Sequence, residues 1–209
     1  MDTKIEIFIQ HLFDNYTNLK DIVKSFEWCS RYDNGKSDLV NDQTLTIDFD
    51  KLTNWIHEDG SQSADSLSFN DNYAFLIEFK SGDPTTHERK LQKLISNVIG
   101  KINDSDDTLS LLYSQSFSGS GERLKQKFFL VVDSKKMGID PLLSTLVGLS
   151  LKDNKNVKEK AVLAQITPNL KAGINHPDHY ETVDVWYSEL FSTYIKVNRI
   201  SDFQLPTKT

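Results

Sequence analysis

Cysteine occurs once in this chain of 209 residues, at Cys29. A single thiol excludes a disulfide within the chain and any zinc cluster built on paired cysteines, and it is the usage expected of a reducing compartment. Long apolar runs are missing too: none approaches the roughly 20 residues that cross a bilayer. The N-terminal MDTKIEIFIQHLF lacks the uninterrupted apolar segment and small-residue cleavage site of a secretory signal. These absences lead us to expect a cytoplasmic protein with no membrane partner. Positive charge is in deficit, with 24 Lys and Arg against 30 Asp and Glu and a net charge of -6. Coating nucleic acid by bulk electrostatics needs clustered cations, so such a role is disfavoured. No G-x-S-x-G, P-loop or dinucleotide-binding glycine fingerprint occurs, which removes the serine hydrolase, nucleoside-triphosphatase and Rossmann readings.

What is present describes one globular unit. Hydrophobic residues make up 38%, enough for a real core at this length, and a single domain over 1–209 is expected. Apolar residues at Ile5, Phe8, Ile9, Leu12, Phe13, Tyr16, Leu19, Ile22, Val23 and Phe26 predict one amphipathic helix over 3–28. Residues 44–58 fit either a short strand or a helix. In SADSLSFNDNYAFLIEFKSG, Leu67 and Phe69 alternate with serines, Asn70-Asp71-Asn72 supplies a turn, and YAFLIEF is almost continuously apolar, which predicts a β-hairpin with a buried second strand. Asp83-Pro84 then opens a helix striped by Leu91, Leu94, Ile95, Val98, Ile99 and Ile102. A shorter helix over Thr108–Tyr113, a loop at SFSGSGE, a strand at KFFLVVD, a helix at PLLSTLVGLSL and a strand at KAVLAQI follow. Residues 168–182 read as a loop and Val185–Ile195 as a closing helix. The fold class is α/β, a mixed central sheet between helices.

Three residues carry the chemistry. Asp65 opens the first hairpin strand and Glu78 ends the second, so antiparallel pairing brings both acids to one end of the sheet. Lys80, two residues past Glu78, shares its face. Two carboxylates suit a hard divalent cation such as Mg2+ or Mn2+, which polarises a phosphate and lowers the pKa of a water. The rival tripeptide Asp133-Ser134-Lys135 also ends a strand, but the nearest acid before it is Glu122, in a loop. A plain Glu78–Lys80 surface pair is the alternative reading. His176 and His179, in INHPDHY, are three residues apart, yet Pro177 lies between them and no acid partner is evident, so a surface turn is expected.

The run Ser63-Ala64-Asp65, a hydrophobic hairpin and then Ile77-Glu78-Phe79-Lys80-Ser81-Gly82 resembles the signature of the PD-(D/E)XK nuclease superfamily. The resemblance extends, in motif and element order, to about Asp133. It implies a restriction-endonuclease-like core of helix, three strands, helix and strand, with C-terminal α/β additions. It implies a metal held by Asp65, Glu78 and the Phe79 backbone carbonyl, with Lys80 positioning the attacking water. A first-helix glutamate joins the site in many members; Glu27 is the candidate and Glu6 its alternative. Gln92 matches a position used by some relatives, although Ser96 stands where their tyrosine would be. His87, Arg89, Lys90 and Lys93, opening the helix after the motif, are candidates for backbone phosphate contacts. The expected activity is metal-dependent hydrolysis of DNA, or alternatively RNA. A catalytically silent nuclease-like fold, serving as an acidic protein-binding module of the immunity or inhibitor kind, is the competing expectation, and a homodimer or protein partner is left open.

Overall fold

The computed structural model describes residues 3–16, 18–32, 37–57, 60–82, 88–133, 136 and 165–200. A six-stranded sheet organises them. In chain order the elements are α1 (Lys4–Asn15), α2 (Leu19–Ile22), β1 (Val23–Ser25), α3 (Phe26–Cys29), β2 (Arg31–Tyr32), β3 (Ser37–Asp38), β4 (Leu45–Asp48), α4 (Phe49–Ile56), β5 (Ser66–Phe69), β6 (Tyr73–Lys80), α5 (Glu88–Ser116), β7 (Lys125–Val132), α6 (165–173), β8 (Tyr180–Tyr187) and α7 (Ser188–Val197). The sheet order is β1-β4-β5-β6-β7-β8, while β2 and β3 pair separately. Pairing is antiparallel from β1 to β6 and parallel from β6 through β7 to β8. The architecture is therefore α/β with a mixed sheet flanked by helices. No helix among the described residues is long and apolar enough to cross a membrane.

Strand β6 has neighbours on both sides, and its interior residues are all buried, which is why YAFLIEF reads as a nearly unbroken apolar run rather than an alternating one. Its two faces serve different layers. Ala74 and Leu76 join Phe128, Leu130 and Val132 against α1, α5 and α6, whereas Phe75, Ile77 and Phe79 join Phe129 and Val131 against Phe26 of α3 and Phe191 and Ile195 of α7. Glu78 and Lys80 continue the first of these rows. Their charged groups are thereby aimed at the α5 side of the sheet.

The hairpin forms where the sequence places it. Asn70 accepts from the amides of Asn72 and Tyr73 through its side chain, closing the turn between β5 and β6. Elsewhere the chain departs from its periodicity. The helix expected over 3–28 stops at Asn15, and Val23–Ser25 adds an edge strand beside β4. The apolar stripe survives the break because Leu19, Ile22 and Phe26 still point inward, but Ser25, whose hydroxyl accepts from Trp28 N–H, starts a new turn of helix. Residues 44–58 prove to be both alternatives in succession, β4 and then α4, with Asp48 capping α4 by accepting from Lys51 N–H. The helices expected at 91–102 and 108–113 are one, α5, 29 residues long.

At the C-terminal side, 165–173 is helical where a strand and then a loop were expected, and the earlier part of that strand, 160–164, lies outside the described residues, as does the helix expected at PLLSTLVGLSL. Gly173 lies close against α5: a Cβ there would collide with the Ile99 side chain. Residues 180–187 form β8 and the closing helix begins only at Ser188. Val183 and Val185 supply the β-branched character that favours a strand, and the pairing of β8 along the whole of β7 overrides the helical spacing of Trp186, Leu190 and Tyr194.

Candidate metal centre

Register alone brings the two acids together. Ser66 pairs with Ile77 and Leu67 with Leu76, so Asp65 stands opposite Glu78, and residues opposite each other in antiparallel strands share a face. The pairing does not continue as a ladder at this point. Phe79 N–H instead donates to Asp65 Oδ2 at 2.6 Å, and Asp65 C=O accepts from Phe49 N–H at 3.2 Å. The amide and carbonyl of one strand residue point the same way, so the Phe79 carbonyl lies toward Asp65 as well.

Glu78 is completely buried. Its Oε1 is in ion-pair contact with Lys80 Nζ, and its Oε2 accepts from Lys101 Nζ at 2.9 Å. Lys101, on α5, also reaches Asp65 Oδ1 at 3.2 Å, so one ammonium bridges both carboxylates. Asp50, in the first turn of α4, borders the group through the charges of Lys101, Asp65 and Lys80, and its Oδ1 accepts from Ser63 Oγ at 2.6 Å. The cluster thus combines three acids with two lysines, at the edge of an apolar core.

Burial, followed by the Asp65 charge, pushes Glu78 up to about 7, against the opposing pull of Lys101 and Lys80. Burial likewise raises Asp50, with Asp65 adding to it and the Ser63 hydrogen bond and Lys101 resisting. For Lys101, burial disfavours the charge, but Glu78, Asp65 and Asp50 outweigh it and hold the amine above its ordinary value. Burial, then the charges of Asp48, Asp65 and Asp50, push the Cys29 thiol far up. That thiol stays protonated at neutral pH and is no nucleophile.

The structure therefore brings Asp65, Glu78 and Lys80 together, and sequence reasoning missed Lys101, Asp50 and Ser63. The other candidates lie apart. Glu6 belongs to the capping box of α1, accepting from Thr3 N–H at 2.6 Å. Glu27 contacts Gln43 Nε2 and, at 3.7 Å, Arg31. Among the described residues, no hydrogen bond or ion pair joins either glutamate to Asp65 or Glu78. Arg89, Lys90, Gln92 and Lys93 are exposed on the first turns of α5, and His87 lies outside the described residues. Within the rival tripeptide, Asp133 accepts from Lys136 N–H at 3.2 Å, while Ser134 and Lys135 are outside the described residues.

The donor set fits a hard divalent cation. Asp65 Oδ1 and Glu78 Oε2 already converge on a single positive centre, the Lys101 ammonium, and both are carboxylate oxygens of the kind Mg2+ selects. No protein family, characterised protein or solved structure matches the chain.

Proposed function

We propose that this protein is a Mg2+- or Mn2+-dependent phosphodiesterase acting on DNA, with a core of the restriction-endonuclease-like kind. The single observation that carries the reading is the convergence of Asp65 Oδ1 and Glu78 Oε2 on one cation, at 3.2 and 2.9 Å, with Lys80 on the same strand face. The order α1, then antiparallel β4-β5-β6, then α5 crossing to a parallel β7 agrees with that core.

In this reading Asp65 and Glu78 hold the metal, with the Phe79 carbonyl on the same side. The bound cation supplies phosphate polarisation and a water of lowered pKa. Lys80 orients that water and steadies the negative charge that develops on the phosphate oxygens. Lys101 occupies the position between the two acids and would have to withdraw for a divalent ion to be held there. Glu78 must be ionised to act as a ligand, which its two lysine partners favour.

The test is incubation with plasmid, single-stranded DNA and RNA in Mg2+ or Mn2+, beside Lys80→Ala and Asp65→Asn. Metal-dependent cutting is expected to fall at least about 100-fold in each variant, the scale of removing one charge-stabilising group. A second reading has its own observation: Lys101 and Lys80 already neutralise the acids, as suits a silent nuclease-like fold that binds proteins through its negative surface. No cutting of any substrate, with no heat of Mg2+ or Mn2+ binding by calorimetry, would establish that reading over the first.

A further inference from the structure

Five residues beyond Lys101 on α5 stands another buried acid. Asp106, whose side chain is 3% exposed, accepts from Arg123 Nη2 at 2.7 Å through Oδ1, and its Oδ2 lies 2.8 Å from His179 Nδ1. His179 ends the short 3-10 turn Pro177–His179 that leads into β8. Asn103 of α5 fastens the approach to this turn, donating to Gly173 C=O at 3.3 Å and accepting from Asn175 N–H at 2.9 Å. On the turn, His176, Asp178 and His179 each offer one ligand atom, all within 4.8 Å of one another. The two imidazoles stack with centroids 4.8 Å apart and planes at 27°. INHPDHY supplies Asp178 itself, but the acid that holds His179 arrives from α5, 73 residues away.

We propose that this turn binds a divalent transition metal of the zinc type, with His176, Asp178 and His179 as ligands and Asp106 as the positioning carboxylate. Two imidazoles and one carboxylate form a donor set that suits Zn2+, Ni2+ or Cu2+ and not Mg2+. Asp106 does what the outer carboxylate of a carboxylate–histidine–zinc triad does. With Asp106 accepting from Nδ1–H, His179 would keep its lone pair on Nε2 and bind the metal through that atom. Arg123 anchors Asp106 in turn, stacking its guanidinium over Tyr113 at 5.6 Å. A depression of about 500 Å3, lined by Arg123, Leu124, Lys125, Asp178, His179 and Glu181, opens beside the turn. It gives a water or small ligand access to the fourth position that three protein ligands leave open.

The site is separate from the Asp65–Glu78 cluster. Glu78 is level with Leu130 and Val185, and Tyr180, the strand residue that follows His179, lies five residues from Val185, roughly 17 Å at the usual rise. The two also differ in ligand class, hard oxygen in one and mixed nitrogen and oxygen in the other. One chain thus carries two places with opposite metal preference.

Zn2+ titration of the untagged full chain, in excess Mg2+ and with a chromophoric chelator as competitor, tests the proposal. One equivalent of Zn2+ should bind and raise the melting temperature, because a ligand of the native state alone stabilises it. His176→Ala and Asp178→Asn, both on the surface, should each lower the affinity at least about 10-fold, and His179→Ala should abolish it. Asp106→Asn should cost about 10- to 100-fold, with the far-UV circular dichroism unchanged. Cobalt in place of zinc should give visible absorption bands that vanish in His176→Ala. Should Asp106→Asn not fold, the exposed variants still decide. Absence of stoichiometric Zn2+ binding by the wild type, or an affinity unchanged in His176→Ala and Asp178→Asn, overturns the proposal.

Discussion

Glu78 and Asp106 are both buried carboxylates, and both face two cationic or donor side chains, yet the settings differ in kind. Glu78 is held by two lysines and lies against a second acid, Asp65, which shares one of them. Asp106 is held by a guanidinium and an imidazole, planar groups that fix direction as well as charge. An ammonium on a four-carbon stem is a mobile point charge that another cation can replace. An arginine fork is not readily replaced. The first cluster is therefore held by movable charges, and the second holds a histidine still.

The contrast can be broken from either side. The largest effect is expected at Arg123→Met, which leaves Asp106 buried with only His179: a loss of about 4 kcal/mol in urea unfolding, within the range for a buried pair deprived of one partner. Lys101→Met is next. Glu78 keeps Lys80 in that variant, so we expect about 2 kcal/mol in EDTA, and the deficit should shrink on adding Mg2+ if the ion takes the vacated place. A deficit unchanged by Mg2+ would mean the acids do not exchange their cation.

More gradual, because it is spread over more than two pH units, is the effect of pH in EDTA. Glu78 is raised in the folded state from 4.5 to about 7, so the native chain binds its proton more tightly than the unfolded chain. Its contribution to stability is then full below about pH 4.5 and is lost as pH rises through about 7. The decline should approach about 1 kcal/mol per pH unit within that window and disappear in Glu78→Gln. Smallest is Ser63→Ala, which removes the 2.6 Å hydrogen bond to Asp50 and should cost about 1 kcal/mol by the same unfolding measurement.

How far these features could be read from sequence depends on the distance over which each is encoded. Asp65, Glu78 and Lys80 were legible because a hairpin is local. Asn70 fixes the turn, and the period of two then determines which residues face each other. Lys101 was not legible, because its role depends on how α5 lies across the sheet. In sequence it is one more polar residue flanking the stripe of Val98, Ile102 and Ser105. The partnership of Asp106 with His179 is longer in range still, and nothing near either residue announces it. Strand β1 was hidden for a different reason. An apolar stripe can run unbroken through a chain that changes from helix to strand, since both Ile22 and Phe26 remain buried, and periodicity records burial more faithfully than backbone conformation.

Helix α5 carries both Lys101 and Asp106, five residues apart, which is about 7.5 Å along its axis. One stiff rod therefore bears a contact to β5 and β6 through the first side chain and to the entry of β8 through the second. A small slide or roll of that rod cannot alter one grip without tugging at the other. The two clusters thus share one support, although one grips by ammonium groups and the other through a guanidinium and an imidazole.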